Sequence, residues 1–190
     1  MTATVNRTLS AAPRGPSPTP TLGLHAVRGI ALANAGDDPV ALLREGLRGS
    51  GLTLEPGDVL VVASKLLSRC EGRGVRLAAV VVTAEAREIA EKSGKDARLV
   101  QVILDESAAV SRVANNVLIT RHRLGYVSAN AAIDASNVTD DADVLLLPLD
   151  PDASARLLQR SFAHDAGGPV AVVVTDSFGR PFRAGTVGVA

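Results

Sequence analysis

The stretch Val170-Ala171-Val172-Val173-Val174-Thr175-Asp176-Ser177-Phe178-Gly179-Arg180-Pro181-Phe182-Arg183 decides how the rest of this chain is read. Val170 to Val174 is a largely β-branched run of strand length, apolar enough for burial on both faces. The chain passes at once to a carboxylate and a hydroxyl, Asp176 and Ser177. A loop-forming Phe178-Gly179-Arg180-Pro181 follows, with Arg183 close behind. In α/β sheets, ligands gather at the carboxyl ends of strands. An Asp-Ser pair there offers hard oxygen atoms to Mg²⁺ or Mn²⁺, and two guanidinium groups can hold phosphate. The plainer alternative is a capped turn with solvated arginines, and this segment alone leaves both open.

Working outward, Val59 to Val62 is a second strand of buried type, entered through the turn Glu55-Pro56-Gly57-Asp58. Asp38-Pro39 and Asp150-Pro151 each combine a capping side chain with proline at the first helical position. They predict helices ending near Gly49 and running through Gln159. A short extended piece spans His25 to Ala33. Thr83 to Ser93 and Asp96 to Val110 read as two helices separated by Gly94, the first opening on an incomplete capping box, Thr83-x-x-Ala86. Asn116 to Thr120, Gly125 to Ser128 and Val144 to Leu147 read as strands, the first two forming a hairpin. Met1 to Thr21, with four prolines between Ala12 and Pro20, reads as a disordered tail. The remainder, 22–190, is expected to be mixed α/β (α+β) in two lobes. Val187-Gly188-Val189-Ala190 stops inside what reads as a new strand, so the domain is expected to be incomplete at its C-terminus.

Composition narrows the function. The chain has 190 residues, a formal net charge of zero and 2% aromatic residues. No basic block and few stacking rings argue against nucleic acid as a partner. No apolar run reaches the ~18 residues of a membrane span. A single cysteine, Cys70, excludes an internal disulfide and suits a reducing, cytoplasmic setting. The three histidines, His25, His122 and His164, are scattered without ligand spacing and read as solvated. Neither a phosphate-binding G-x-x-x-x-G-K-[ST] loop nor a dinucleotide fingerprint is present.

Two further segments are candidates for chemistry. After Tyr126-Val127, the small residues of Ala129 to Ser136 let backbone approach a ligand, and Asp134 and Asn137 offer oxygens three residues apart. An Asx-rich turn explains the same residues. After the Val59–Val62 strand, Ser64 precedes Lys65 and Arg69, which share a face if the segment is helical. That reads either as a phosphate cradle or as a solvated basic helix. Cys70, beside Arg69 and Arg73, reads as a packed cysteine rather than a thiol activated by them.

Taken together these segments resemble the coenzyme F420-0:L-glutamate ligases. The resemblance is colinear from about Leu24 to Ala190. It includes Gly36-Asp37-Asp38, Gly57 to Val62, Ser64-Lys65, Ser68-Arg69-Cys70-Glu71-Gly72-Arg73 and Gly94-Lys95-Asp96. It continues through Asp134 to Val138, Leu146-Leu147-Pro148, Asp150 to Ala155 and Thr175 to Arg180. The resemblance implies a two-lobed F420 gamma-glutamyl ligase-like fold, a homodimer when full-length, and a reaction joining L-glutamate to coenzyme F420-0. It implies GTP as co-substrate with Mg²⁺ or Mn²⁺, and K⁺ as a further cation. Carried over by position, Asp134, Asp176 and Ser177 match metal-binding residues. Ser64, Lys65, Arg69 and Asn137 match nucleotide-contacting ones, and Ile30, Ala31, Leu32 and Ala33 match a backbone segment that touches the nucleotide. No general base is identified. Ser177 stands for a usual threonine, Arg69 for lysine, Ala132 for glycine and Leu124 for histidine. By the resemblance, the family's last third is expected to be absent, and with it at least one further metal ligand and part of the dimer core. A nucleotide- or partner-binding module without catalysis, and another Mg²⁺-dependent carboxylate-amine ligase, remain the competing readings.

Overall fold

The computed structural model describes residues 22–135, 143–179 and 186–189. In chain order the elements are α1 (Pro39–Gly49), β1 (Val59–Ala63), α2 (Ser64–Cys70), β2 (Gly74–Val75), α3 (Ala84–Ser93), α4 (Ala97–Asp105), β3 (Ser107–Ala114), β4 (Val117–His122), β5 (Val127–Ala129), β6 (Val144–Leu145), α5 (Pro151–Asp165), β7 (Ala171–Gly179) and β8 (Thr186–Val189). Single tight turns at Leu77–Ala79 and Asn130–Ala132 complete the set. The chain is mixed α/β, as its strand and helix signals predict. No helix among the described residues is long and apolar enough to cross a membrane.

Both Asp-Pro signals start helices. Asp38 accepts from the Val40 N–H at 2.9 Å, and Asp150 from the Ala153 N–H at 2.8 Å. α5 runs on to Asp165 rather than stopping at Gln159, because Phe162 in the added turn is buried. α1 turns Val40, Leu43 and Leu47 inward. Its Gly46 is required by space, since a Cβ there would lie 2.6 Å from Ile30 Cγ1. The His25 to Ala33 piece, expected to be extended, forms no strand and packs Val27 and Ile30 on this core.

β1 and β7 run parallel, from Val59 opposite Ala171 to Ala63 opposite Thr175. With α1, α2 and α5 they enclose the first core, formed by Leu43, Leu60, Val62, Leu67, Leu158 and Phe162 among others. Val172 to Val174 of β7, expected to be buried on both faces, are half-buried, and β1, expected to be a buried strand, is buried on one face. Leu60 and Val62 point inward while Val59 is 56% and Val61 60% exposed, because the core given by the described residues lies on one side only. β7 also continues past the expected strand end. β8 pairs antiparallel with it from Asp176 opposite Val189 to Gly179 opposite Thr186, so Asp176 and Ser177 are strand residues, not loop.

The second core lies between α3, α4 and the antiparallel meander β3-β4-β5. Thr83 caps α3, accepting from Ala86 N–H at 3.2 Å. The capping box, incomplete in sequence, is completed from a neighbouring helix: Gln101 Oε1 of α4 accepts from both the Thr83 N–H (3.0 Å) and its hydroxyl (2.7 Å). The helix expected over Asp96 to Val110 stops at Asp105. The Ser107 hydroxyl takes the Ile103 carbonyl of the last turn at 2.6 Å, and Val110 and Val113 pair across to Thr120 and Leu118 of β4. Sheet pairing outweighs a weak local helix signal.

β5 leads into a turn in which Asn130, Ala131 and Ala132 have φ of 52°, 54° and 55°. Left-handed backbone costs an L-residue about 1–2 kcal/mol, and here three successive residues adopt it. Tertiary contacts hold the turn: the Leu118 N–H donates to Asn130 Oδ1 at 3.1 Å, and Ala131 is fully buried in the second core. Ala132→Gly is therefore expected to raise the free energy of unfolding, read from the urea midpoint, by about 0.5–1 kcal/mol after the greater unfolded freedom of glycine is counted. Ala132→Val should lower it by about 1–3 kcal/mol, since a β-branched residue resists positive φ. Equal urea midpoints for the three proteins would show that the turn holds no strain at this position.

Candidate functional site

Strand pairing places the candidate residues. β1 ends at Ala63 opposite Thr175 of β7, so the next residues on each, Ser64 and Asp176, lie at the same end of the pair. The buried Ser64 hydroxyl donates to Asp176 Oδ2 at 2.6 Å, and the Ser177 N–H donates to Asp176 Oδ1 at 2.7 Å. Both carboxylate oxygens are thereby oriented. The following residue, Lys65, sets its Nζ 2.5 Å from Asp134 Oδ2. Asp134 is itself fixed by backbone: its N–H donates to Leu145 O at 3.0 Å and its carbonyl accepts from Leu145 N–H at 2.8 Å. The left-handed turn at 130–132 ends just before it. Two consecutive residues of α2 thus each hold one aspartate, drawn from segments far apart in sequence.

Ser64, Lys65, Asp134 and Asp176 are therefore gathered by the fold, and Ser177 follows Asp176 on β7. Arg69 lies one turn beyond Lys65 on α2 and is half-buried. In the Ile30 to Ala33 segment, Ile30 packs beside Gly46 of α1, Ala33 is buried, and Ala31 and Leu32 are exposed. Asn137, Arg180 and Arg183 lie outside the described residues, as does the tail expected over 1–21.

The donors these contacts bring together are all oxygen, two carboxylates with the Ser64 hydroxyl, which suits a hard divalent cation. Among the described residues no group of three or more His, Cys, Asp or Glu side chains could hold a metal ion. A cation here would have few protein ligands, the pattern of Mg²⁺ held by one or two carboxylates together with substrate phosphates. The Lys65 ammonium on Asp134 already marks one of these carboxylates as a seat for positive charge.

A second polar cluster went unrecognised in the sequence. Glu106, buried at the C-terminus of α4, accepts from Arg73 Nη2 through Oε2 at 2.8 Å and from Arg123 through Oε1. His122 Nε2 lies 3.4 Å from Glu106 Oε2, while Nδ1 accepts from Leu124 N–H at 3.0 Å. Burial pushes the Glu106 carboxyl up, but the His122 imidazole and the Arg73 and Arg123 guanidiniums outweigh it and bring it down to about 2. His122, expected to be solvated, is 3% exposed. The alternation of Leu118, Thr120 and His122 along β4 points all three inward, and that period-2 pattern was the available signal. Cys70 is buried, and burial together with the Asp37 carboxylate pushes its thiol up, which fits packing rather than reactivity.

Two aspartates engaged by consecutive residues at the end of a parallel strand pair lie where α/β proteins gather their ligands. Similarity to known proteins makes the class definite: the chain belongs to the F420-0:gamma-glutamyl ligase family, whose profile matches residues 29–190. It is 42% identical over 169 residues to the coenzyme F420:L-glutamate ligase of Methanothermobacter thermautotrophicus, covering 89% of this chain and 67% of that protein. The Methanopyrus kandleri protein of the same name is 42% identical over 171 residues, covering 90% of this chain and 66% of the relative. That of Archaeoglobus fulgidus is 43% identical over 164 residues, covering 86% and 63%. The chain spans about two thirds of the length of these relatives.

The Glu106 cluster predicts acid behaviour. A carboxyl lowered in the fold from 4.5 to about 2 contributes stability that is complete above the unfolded value. The contribution is lost as pH falls through the folded value. Between pH 5 and 2 this group should remove on the order of 3 kcal/mol, with Arg73, Arg123 and His122 as the groups facing it. Glu106→Gln should be less stable at pH 7 yet show a shallower decline below pH 5. Urea unfolding across that range checks it, and parallel declines for the two proteins would contradict the assignment.

Proposed function

We propose that this chain performs its family's reaction, GTP-dependent attachment of L-glutamate in γ-linkage to coenzyme F420-0. The observation that carries this reading is the meeting of Asp176 with Ser64 and of Asp134 with Lys65 on consecutive residues of α2. A carboxylate is a poor acyl donor, since an oxide would have to leave. An oxygen of the terminal F420-0 carboxylate therefore attacks the γ-phosphorus of GTP, the bond to the bridging oxygen breaks, and GDP departs with its electron pair. The glutamate amine then attacks the acyl carbon of the resulting acyl phosphate. The carbon–oxygen bond breaks, inorganic phosphate leaves, and the amine proton passes to solvent.

The side chains present fit such a task. Asp134, Asp176 and Ser177 are the residues that would hold Mg²⁺ or Mn²⁺, with Ser64 keeping Asp176 in one orientation. A bound divalent cation supplies charge neutralisation on the β- and γ-phosphates. Lys65, already poised on Asp134, has a flexible stem and can turn its ammonium to a phosphate when Asp134 takes another cation. Arg69, one turn along, adds a second positive charge on the same face, and fixed charge acts strongly in a water-poor cleft. Asn137 and the Ile30–Ala33 backbone are assigned to the nucleotide on family grounds, as are GTP itself, the homodimer and the two-lobed arrangement.

The direct test incubates the protein with F420-0, L-glutamate, Mn²⁺ and either GTP or ATP. The expected result is a product heavier by one glutamyl residue, formed with GTP; no mass gain with either nucleotide would overturn the reading. At the level of residues, Asp134→Asn and Asp176→Asn should each weaken Mn²⁺-dependent GTP binding at least tenfold with the far-ultraviolet circular dichroism unchanged. Lys65→Ala should weaken GTP at least tenfold more than guanosine, because only the phosphate contact is removed. Equal losses for GTP and guanosine in calorimetric titrations would place Lys65 away from the phosphates.

A further inference from the structure

Arg73 closes the Glu71-Gly72-Arg73 turn that follows α2, and its contacts tie α2 to the segment that pairs with Asp134. Its N–H donates to Ser68 O at 2.8 Å, tying the turn to α2. Its carbonyl accepts from Leu146 N–H at 3.1 Å, and its Nε donates to Leu147 O at 3.0 Å. Leu145, one residue earlier on that segment, is the antiparallel partner of Asp134. Glu71 grips the same segment further along, accepting from Leu149 N–H at 2.8 Å and from the Ser154 hydroxyl at 3.0 Å. Gly72 lies between them at φ +65°, where a glycine is at ease and a side chain is not. The other end of the Arg73 fork is fixed by buried Glu106 at 2.8 Å.

We propose that Arg73 is a positioning residue. With Glu106 as its anchor, it locks the strand partner of Asp134 to the helix that carries Ser64 and Lys65. It thereby sets the spacing between Asp134 and α2. The reasoning is geometric. α2 and the Asp134–Leu145 bridge belong to distant parts of the chain, and Lys65–Asp134 is a partly exposed pair of flexible reach, too weak alone to fix backbone. A planar guanidinium with its donors in a rigid fork can bind a carbonyl on one side and a carboxylate on another, and each fixes the other's direction. Lysine keeps the charge but has no such fork. The consequence for cation and nucleotide affinity rests on the ligase reading above; the spacing itself does not.

Hydrogen exchange on the ligand-free protein tests the spacing. In Arg73→Lys the Asp134 and Leu145 amides should exchange at least tenfold faster, while the Leu43, Leu47 and Leu60 amides of the first core keep their protection. Arg44→Lys, which alters the separate Arg44–Asp165 pair, should leave both sets unchanged. Unchanged exchange at Asp134 and Leu145, or a uniform acceleration at every amide, would overturn the proposal; Glu106→Gln repeats the measurement should Arg73→Lys fold poorly. Titration with Mn²⁺ in the presence of GTP then tests the consequence. Arg73→Lys should weaken binding at least tenfold in the parent and add nothing further in an Asp134→Asn background. Additive losses would show that Arg73 does not act through Asp134. If the parent binds no Mn²⁺ and GTP while the exchange difference holds, the clamp stands and the nucleotide reading falls.

Discussion

The Ser64 hydroxyl reaches Asp176 across 112 residues of chain, and the candidate site depends on that contact. It exists because β1 and β7 run parallel and end in register, which leaves the first residue of α2 beside the first β7 residue past the pair. Parallel strands cannot be joined by a tight turn. Here the connection contains the whole second core, so the Asp134 segment is carried back to the mouth of the same strand pair. Lys65, adjacent to Ser64, then meets Asp134, whose strand partner Arg73 ties to the same helix. The strand pairing thus fixes where Asp176 stands, and the Arg73 contacts bring Asp134 beside it.

The site's charge is matched internally. Two carboxylates near one helix would repel if left bare, and each is engaged by a group of α2: a hydroxyl for Asp176, an ammonium for Asp134. The hydroxyl, lacking charge, orients Asp176 while leaving its negative charge uncancelled. The ammonium cancels that of Asp134 yet sits on a flexible stem. The two aspartates are thus held by opposite means, one fixed and charged, the other neutralised by a group that can move.

Rigidity around the site comes from less obvious sources. Three consecutive left-handed residues, an Asn130 side-chain hydrogen bond and the Asp134–Leu145 bridge define the approach to Asp134. The Glu106 cluster anchors Arg73 from beneath, with its carboxyl kept ionised by surrounding cationic and imidazole groups. Residues paying a strain cost of this kind persist only where packing over-determines them. Ala131, buried without exposure in the second core, is the packing that does so here.

Local chemistry made much of this legible before any fold was known. Asp-Pro pairs marked both helix starts, since a cap and a missing N–H act within four residues of chain. Apolar runs marked β1 and β7, and the small groups of polar residues after each strand marked Ser64, Lys65, Asp134, Asp176 and Ser177 as candidates. What local chemistry could not supply was anything decided by a distant partner. β8 extended β7 through Asp176, β4 drew Ser107–Ala114 out of a helix, and Gln101 completed the cap of Thr83 from another helix. Solvent exposure of Val59 and Val61 and burial of His122 likewise follow from which face a neighbouring layer covers. The sequence by itself determined which groups were available, because side-chain chemistry and short-range caps are properties of neighbours along the chain. Only the tertiary structure decided which of them meet, because a hydrogen bond or ion pair between remote residues depends on strand register and packing.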